Sequence, residues 1–283
     1  MNSPCATLCS PDDQKTCFAC CPPIRPAGYE HREYKNMVKR VLRENTAAYD
    51  PRNGRIVPIT GFSCWALGYL DEAYQRVGCL LHPFRHRGLD LRYRVDYGNK
   101  CARETCPEAK VFDALTIREK EFWLGLTDGF DSFDYSSRKV NPLFRLMGWG
   151  CHPLRLIAAV EKKERLAREY FLETYPFFST EALPRANAYL VHRLVHSDNV
   201  HLLRSRPFKD AFEAFSVTLS SSLAGERPVG EGESPVHRLD LDRDFLDFLR
   251  RSLGISKTSL EQALRLKHRV DEQCERFGRR LPS

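Results

Sequence analysis

The chain has 283 residues, of which 42% are hydrophobic and 29% are charged. This composition excludes an intrinsically disordered chain, and the length is enough for one large core or two smaller ones. The formal net charge of +7 comes from 44 basic and 37 acidic residues. Because the basic residues form no dense run, the charge does not favour a nucleic-acid partner. No apolar stretch reaches the roughly 18 residues that a membrane-spanning helix needs, so no membrane association is expected.

The N-terminal residues and the cysteine content together suggest a compartment. The segment from Met1 to Cys5 shows neither the basic nor the apolar region of a secretory signal, which predicts a cytoplasmic protein. In a reducing cytosol, eleven cysteines indicate metal or redox chemistry rather than disulfides. Nine of the eleven lie between Cys5 and Cys106, so this chemistry is expected in the first part of the chain.

Residues 1–112 are predicted to form a loop-rich, cysteine-rich metal-binding domain. Glycine and proline recur throughout this part, which indicates turns and short connections. Apolar residues at helical spacing predict one helix from Glu30 to Tyr49, ended by Pro51. Residues Arg55 to Ile59 predict a short strand. A fold with so little regular structure needs a staple, which a metal bound by cysteines would provide.

Residues 113–283 are predicted to form a helical domain, so the expected fold class is mainly α. Apolar periodicity predicts helices over 154–175, 180–195, 208–223 and 242–253, and a last helix ending near residue 277. Gly254 is the predicted end of the fourth helix, and Thr258 with Glu261 a predicted capping box for the last. The segment 224–236 is rich in Gly, Glu and Pro and predicts a flexible linker.

Seven cysteines form the main set of candidate metal and cofactor ligands. Cys17 and Cys20 make a Cys-x-x-Cys pair, whose turn can direct both sulfurs at one ion. Cys21 follows directly, so its side chain is expected to point elsewhere, toward a second metal or the far side of a larger cluster. The complete set is Cys17, Cys20, Cys21, Cys64, Cys79, Cys101 and Cys106.

Three more side chains are additional candidate ligands. Cys5 and Cys9 lie close to the N-terminus, and His82 lies in the middle of the cysteine-rich part. Cys151 and Cys274 stand in helical surroundings, and we interpret them as ordinary core or surface thiols.

The number of thiols bears on the kind of metal. Seven thiolates exceed the four that one tetrahedral zinc ion takes. This surplus favours an iron–sulfur cofactor, with a 4Fe–4S cluster as the expected form, or more than one metal site. A proline follows both Cys21 and Cys106, as it often follows a cluster ligand. Zinc is the alternative cofactor, because thiolate sites suit both metals.

The order of these cysteines resembles the YkgJ-type cysteine-cluster family. The residues that match its pattern in order are Cys20, Cys21, Cys64, Leu67, Asp71 and Cys79. The sequence then departs from the pattern, because His82-Pro83 stands where Tyr and Arg-Pro are expected and the next cysteine is Cys101. The resemblance covers about a third of the chain. It implies chelation of zinc or iron and does not imply a particular reaction.

Three functions remain open from the sequence. The first is a metal-binding protein whose site is structural or carries electrons. The second is an iron–sulfur-dependent enzyme that modifies a protein or a small molecule, and the third is a zinc-stapled adaptor that binds protein or RNA. No motif assigns catalytic residues, and the partners are unknown. His192 and His196, one helical turn apart, are interpreted as part of an amphipathic helix.

Overall fold

The structure is a computed structural model that describes residues 7–21, 32–60, 64–96, 101, 106–161, 168–223 and 234–281. It is mainly α, which confirms the predicted fold class. The helices, in chain order, are α1 Lys35–Ala48, α2 Pro107–Asp113, α3 Ile117–Leu124, α4 Ser132–Ser136, α5 Pro142–Met147, α6 Cys151–Val160, α7 Arg168–Thr174, α8 Pro184–Leu194, α9 Arg206–Leu223, α10 Arg243–Arg251 and α11 Leu260–Gly278. The strands are β1 Leu67–Tyr69, β2 Val77–Cys79, β3 Ser234–Pro235 and β4 Lys257–Thr258. Strand β1 pairs with β2 and strand β3 pairs with β4, and both two-stranded sheets are antiparallel.

The chain divides into two compact units, residues 1–144 and 145–283. The change of sequence pattern lies near residue 112, whereas contacts extend the first unit to residue 144. One reason for the longer first unit is that α4 forms hydrogen bonds with the N-terminal segment. The Tyr135 hydroxyl donates to the Leu8 carbonyl at 3.0 Å, and the Phe18 amide donates to the Ser136 hydroxyl at 2.9 Å.

The core of the first unit lies between α1 and the β1–β2 hairpin. Val38 and Leu42 are the buried residues of α1, one helical turn apart. They belong to one buried cluster with Leu67 of β1 and Val77 of β2. Burial of each such side chain contributes roughly 1.5–3 kcal/mol. The hairpin pairs Leu67 with Cys79, so its open end carries a candidate ligand.

Gly68 of β1 is a point of close contact in this core, and its replacement tests the packing. A Cβ added there would lie 2.7 Å from Thr46 Oγ1 and 2.8 Å from Leu80 Cδ1. Thr46 cannot move away freely, because its hydroxyl donates to the Leu42 carbonyl at 2.6 Å and accepts from the Tyr69 amide at 2.8 Å. We expect Gly68→Ala to lower the free energy of unfolding by about 1–3 kcal/mol, measured by denaturant titration.

Gly54→Ala is the matched control for this prediction. A Cβ at Gly54 would meet no atom within 4 Å, so this variant is expected to change stability by less than about 0.5 kcal/mol. Equal stabilities for the two variants would contradict the close packing of the hairpin against Thr46.

The second unit is built around α8, which is buried along most of its length. Pro184 is its first residue, where a missing backbone N–H costs nothing. Helices α10 and α11 both pack against it. The predicted helix over 208–223 is confirmed as α9. Gly254, the glycine predicted to end the fourth helix, follows α10 and has a φ of +69°, a conformation that favours glycine.

Two predicted elements of the first unit differ from the structure. The helix predicted over 30–49 is α1, beginning at Lys35, while residues 22–31 lie outside the described residues. The strand predicted over 55–59 is wrong. Within the described residues, Val57 forms only an isolated bridge to Val95, because no neighbouring strand runs alongside it.

Three predicted elements of the second unit also need correction. Instead of one helix over 154–175, α6 ends at Val160 and α7 begins at Arg168, with residues 162–167 outside the described part. The predicted linker lies outside it over 224–233, but Ser234–Pro235 forms β3 and pairs with β4. The cap of α11 is Ser259, whose hydroxyl accepts from the Gln262 amide at 3.2 Å, rather than the neighbouring threonine, which belongs to β4. No helix in the described ranges is long and apolar enough to cross a membrane.

Candidate metal centre

Residues 7–21 form a folded-back segment that carries four cysteines. The Cys17 amide donates to the Cys9 carbonyl at 2.9 Å, which places these two cysteines side by side although seven residues separate them. A turn follows, in which the Cys21 amide donates to the Phe18 carbonyl at 2.9 Å. The Ala19 amide donates to Cys17 Sγ at 3.4 Å. The Cys-x-x-Cys pair therefore lies in a tight turn, as the spacing predicts.

Buried hydroxyl groups fix this turn against the rest of the first unit. The Thr16 amide donates to the Ser132 hydroxyl at 3.2 Å, and the Phe18 amide donates to the Ser136 hydroxyl at 2.9 Å. The Thr16 hydroxyl donates to the Val77 carbonyl at 2.7 Å. Buried polar groups of this kind are costly unless they are paired, so these bonds restrict the turn to one position.

Four cysteines, here called the first thiol group, line one cavity of about 340 Å³. They are Cys9, Cys17, Cys20 and Cys106. The other lining residues are mostly apolar: Leu8, Ala19, Pro107, Ala109, Arg138 and Phe144. Although Cys9 is exposed as a residue, loss of water around its thiol raises the pKa to about 12, and the nearby thiols of Cys20 and Cys106 raise it further. Burial and the same neighbours raise the pKa of Cys17.

Cys106 has a charged pair beside it. Its thiol donates to Glu108 Oε2 at 2.7 Å, and Glu108 is in turn 3.1 Å from a guanidinium nitrogen of Arg138. Burial, and then this hydrogen bond, raises the pKa of Cys106 to about 11. Burial also acts to raise the pKa of Glu108, but the bonds from Cys106 and Arg138 outweigh it and lower that pKa.

Four further cysteines, here called the second thiol group, gather at the open end of the hairpin. They are Cys21, Cys64, Cys79 and Cys101. Cys64 begins the turn into β1, which Asn45 of α1 holds by donating to the carbonyls of Cys64 and Leu67 at 3.1 and 2.8 Å. Cys101 is held through its carbonyl, which accepts from Arg92 at 2.9 Å. Cys21 and Cys79 both pack against the core that contains Cys64.

The thiols of the second group act on one another. Burial raises the pKa of Cys79 to about 12, and Cys64 and Cys101 add to this increase. Burial likewise raises the pKa of Cys64 to about 11, with Cys101 as a further cause. The pKa of Cys21 is raised first by its hydrogen bond with Cys20, then by burial, and further by Cys79 and Cys64. All four thiols therefore belong to one electrostatic neighbourhood.

Cys20 and Cys21 join the two thiol groups. They are adjacent in the chain, their sulfurs are 4.0 Å apart, and each belongs to a different group. The sequence predicts that the side chain of Cys21 points away from the Cys-x-x-Cys pair, but its sulfur is in contact with that of Cys20.

Backbone amides are directed at several of the sulfurs. The Ala19 amide donates to Cys17 Sγ at 3.4 Å. Backbone amides also lower the pKa of three further thiols: those of Ala66 and Leu67 act on Cys64, that of Leu81 on Cys79, and those of Ala109 and Glu108 on Cys106. Such donors stabilise a thiolate, in opposition to burial. They act in both thiol groups.

The remaining candidate residues occupy varied positions. Cys5 lies outside the described residues. Burial lowers the pKa of His82, and the charged groups that act on it are Arg92 and Asp90. Cys151 begins α6 and Cys274 is buried in α11, so both belong to the second unit.

The described cysteines are not arranged for a single ion. None of the ten forms a disulfide, and no group of three or more His, Cys, Asp or Glu side chains in the described ranges is in a position to hold one metal ion. Four thiolates on one zinc lie roughly 4 Å apart, because each Zn–S bond is about 2.3 Å. A mononuclear site would therefore require side-chain rotation toward a common centre.

Three histidines of the second unit lie close together. The His152 ring stacks on the His192 ring with centroids 4.3 Å apart, and the His196 ring is 6.1 Å from that of His152. His152 Nε2 lies 2.7 Å from the Val195 carbonyl. Burial lowers the pKa of His192, and His152 lowers it further. These contacts pack α6 against the C-terminal end of α8.

Comparison with known proteins gives no assignment. No protein-family model matches the chain, and neither a curated protein nor a solved structure is detectably similar to it. The resemblance to the YkgJ-type family stays a prediction from the cysteine pattern.

Proposed function

We propose that this chain is an iron–sulfur protein in which eight cysteines hold two metal centres. The observation that supports this most is the division of the eight thiols into two groups of four. Four thiolates make up the complete ligand set of a 4Fe–4S cluster. The first centre would use Cys9, Cys17, Cys20 and Cys106, and the second Cys21, Cys64, Cys79 and Cys101.

The chemistry of the donors supports metal binding in both groups. Burial raises the pKa of Cys9, Cys64, Cys79 and Cys106, so these thiols resist deprotonation at neutral pH. Only a cation would make their deprotonation favourable, and metal binding would release the protons. The amides two residues beyond Cys17, Cys64, Cys79 and Cys106 would then donate to thiolate sulfurs, as is common around bound metals.

The cavity in the first thiol group favours a polynuclear cluster over zinc. A single ion needs no cavity between its ligands, whereas a cluster of several iron and sulfide ions needs one. About 340 Å³ lie between these thiols, and the walls are otherwise mostly apolar. A bound iron–sulfur cluster supplies one-electron transfer, and its potential depends on hydrogen bonds and solvent exposure.

Residues around the first centre have separate tasks in this proposal. Leu8, Ala109 and Phe144 limit water at the thiols. Arg138 faces the same cavity and carries a positive charge beside the thiolates. The oxygen-sensitive chemistry of such a centre agrees with residence in the reducing cytoplasm.

Metal analysis of cysteine variants tests this proposal. We expect the protein purified without oxygen to be brown and to contain about eight irons and eight sulfides per chain. Cys17→Ala should remove the first centre and Cys79→Ala the second, so that each retains about half of the iron. The double variant should retain almost none.

Cys274→Ala is the control, because this buried thiol belongs to α11 of the second unit. Its iron content should equal that of the unaltered protein. A colourless protein with stoichiometric zinc would contradict the iron–sulfur proposal and leave zinc binding. An unchanged metal content in both Cys17→Ala and Cys79→Ala would contradict the ligand assignment itself.

A further inference from the structure

Two segments of the first unit meet and bring their arginines together. The Val57 amide donates to the Arg94 carbonyl at 2.8 Å, and Val57 forms a parallel bridge with Val95. The guanidinium group of Arg94 donates to the Pro51 carbonyl at 2.8 Å. Residues 50–57 therefore contact the end of the segment 85–96, although about thirty residues separate the two segments in the chain.

These two segments have an excess of positive charge. They contain six arginines, namely Arg52, Arg55, Arg85, Arg87, Arg92 and Arg94, against three aspartates, namely Asp50, Asp90 and Asp96. The aspartates already have partners. Asp90 pairs with Arg92 at 2.6 Å, Asp50 accepts from the Arg52 amide at 2.9 Å, and Asp96 accepts from the Ile59 amide at 3.3 Å.

Tyr49 is affected by two of the arginines. Burial raises the pKa of its phenol, and the charges of both Arg85 and Arg94 act against this increase. The Tyr49 hydroxyl is also 3.2 Å from His86 Nε2. Arg55, Arg85 and Arg87 are exposed and form no ion pair with an acidic side chain in the described ranges. Their charges are therefore available to an anionic partner.

Exposed rings and apolar groups lie among these charges. Tyr93 stands between two arginines in the chain and is 55% exposed, and Ile56 on the neighbouring segment is 64% exposed. An exposed tyrosine among guanidinium groups combines a stacking surface with phosphate ligands. This combination is typical of proteins that bind unpaired bases.

We propose that this surface, formed by Arg52, Arg55, Arg85, Arg87, Tyr93 and Arg94, binds single-stranded nucleic acid. The arginines would contact phosphates, and Tyr93 would stack on a base. Duplexes keep their bases paired and offer Tyr93 no stacking partner, while acidic proteins offer it no base. This inference does not depend on the metal proposal, because none of the six residues is a candidate metal ligand.

Fluorescence anisotropy with a labelled 15-nucleotide RNA of mixed sequence tests the proposal. The full-length protein is used as purified without oxygen. The three arginines without an ion pair would contribute about −2 to the salt slope, since each phosphate contact adds roughly −0.7 on a single strand. We expect the triple variant Arg55→Glu/Arg85→Glu/Arg87→Glu to bind at least about 10-fold more weakly and to lose most of this slope. Tyr93→Ala should weaken binding about 5-fold or more with the slope unchanged.

A control with the same change of charge uses α11 of the second unit and Arg279, the residue that follows it. Arg265→Glu/Arg276→Glu/Arg279→Glu alters three exposed arginines of the C-terminal residues and should leave affinity nearly unchanged. An equal loss in this control would show that net charge alone attracts RNA, which overturns the proposal. Equal affinity for a duplex or for polyglutamate of the same charge, or no effect of Tyr93→Ala, would also overturn it. Iron content measured on the same samples keeps this result separate from the metal test.

Discussion

Removal of the proposed metal centres from the purified protein is expected to unfold residues 1–144 and to leave residues 145–283 folded. A structural metal contributes on the order of 10 kcal/mol to the fold that holds it. A whole domain has a net stability of only about 5–15 kcal/mol. The two thiol groups draw their ligands from residues 9–106, so loss of the metal affects most of the first unit at once.

Hydrogen exchange measured by mass spectrometry can follow this loss separately in each unit. Iron would be removed by oxidation in the presence of a chelator. The thiols would then be reduced again before the exchange is measured. We expect amides of α1 and of the β1–β2 hairpin to exchange fast after this treatment. Amides of α9 and α11 should keep their protection, because these helices are stabilised by apolar contacts of the second unit.

Either of two results would contradict this prediction. Unchanged protection in α1 would mean that its contacts with the hairpin hold the first unit without metal. Loss of protection in α9 to the same extent would mean that the second unit depends on the metal as well. Gly68→Ala serves as the reference for this measurement, because it weakens the hairpin contact without removing a candidate ligand. Its exchange pattern is that of a destabilised first unit with its candidate ligands intact.

Much of the helical fold could be predicted from local pattern, because amphipathic helices record their packing in the sequence. Along α9, Phe208, Phe212 and Leu219 are buried at helical spacing. Pairing between distant segments leaves no such record. Residues 55–59 have β-forming side chains, but whether a strand forms depends on a partner, and Val95 offers only a single bridge.

The sequence could predict which cysteines are candidate ligands, but it could not predict how their thiols are grouped. The spacing of Cys17 and Cys20 identified the turn, and the surplus of thiols indicated more than one metal. The division into two groups depends on tertiary contacts, such as the bond from the Cys17 amide to the Cys9 carbonyl. Cys9 carries no motif of its own. From the sequence it is only an additional candidate, like Cys5.

The proposed arginine surface could not be predicted from the sequence either, because it depends on contacts between distant segments. Arg55 and Arg87 stand far apart in the sequence, and no window of the chain contains a dense basic run. The bridge between Val57 and Val95 places their segments together. Net charge alone therefore gave no reason to expect a nucleic-acid partner, whereas the fold brings two arginine-bearing segments into contact.

Trp149→Ala is expected to cost the second unit about 3–5 kcal/mol of unfolding free energy. The indole is completely buried and lies among three phenylalanine rings, with centroids 5.0 Å from Phe177, 6.5 Å from Phe178 and 6.2 Å from Phe212. Truncation would leave a large cavity and remove all three ring contacts. Denaturant titration, followed by circular dichroism, would measure the loss against Tyr170→Ala, a control at an aromatic residue that is 62% exposed.

Trp149→Phe separates the contribution of the ring from that of its nitrogen. Trp149 Nε1 is buried and has no hydrogen-bond partner among the described residues. An unpaired buried N–H costs about 1–3 kcal/mol, so its removal offsets part of the lost ring volume. We therefore expect this variant to lose no more than about 1.5 kcal/mol. A loss as large as that of Trp149→Ala would mean that the nitrogen has a partner, and a Trp149→Ala variant as stable as Tyr170→Ala would mean that the aromatic cluster does not hold the second unit together.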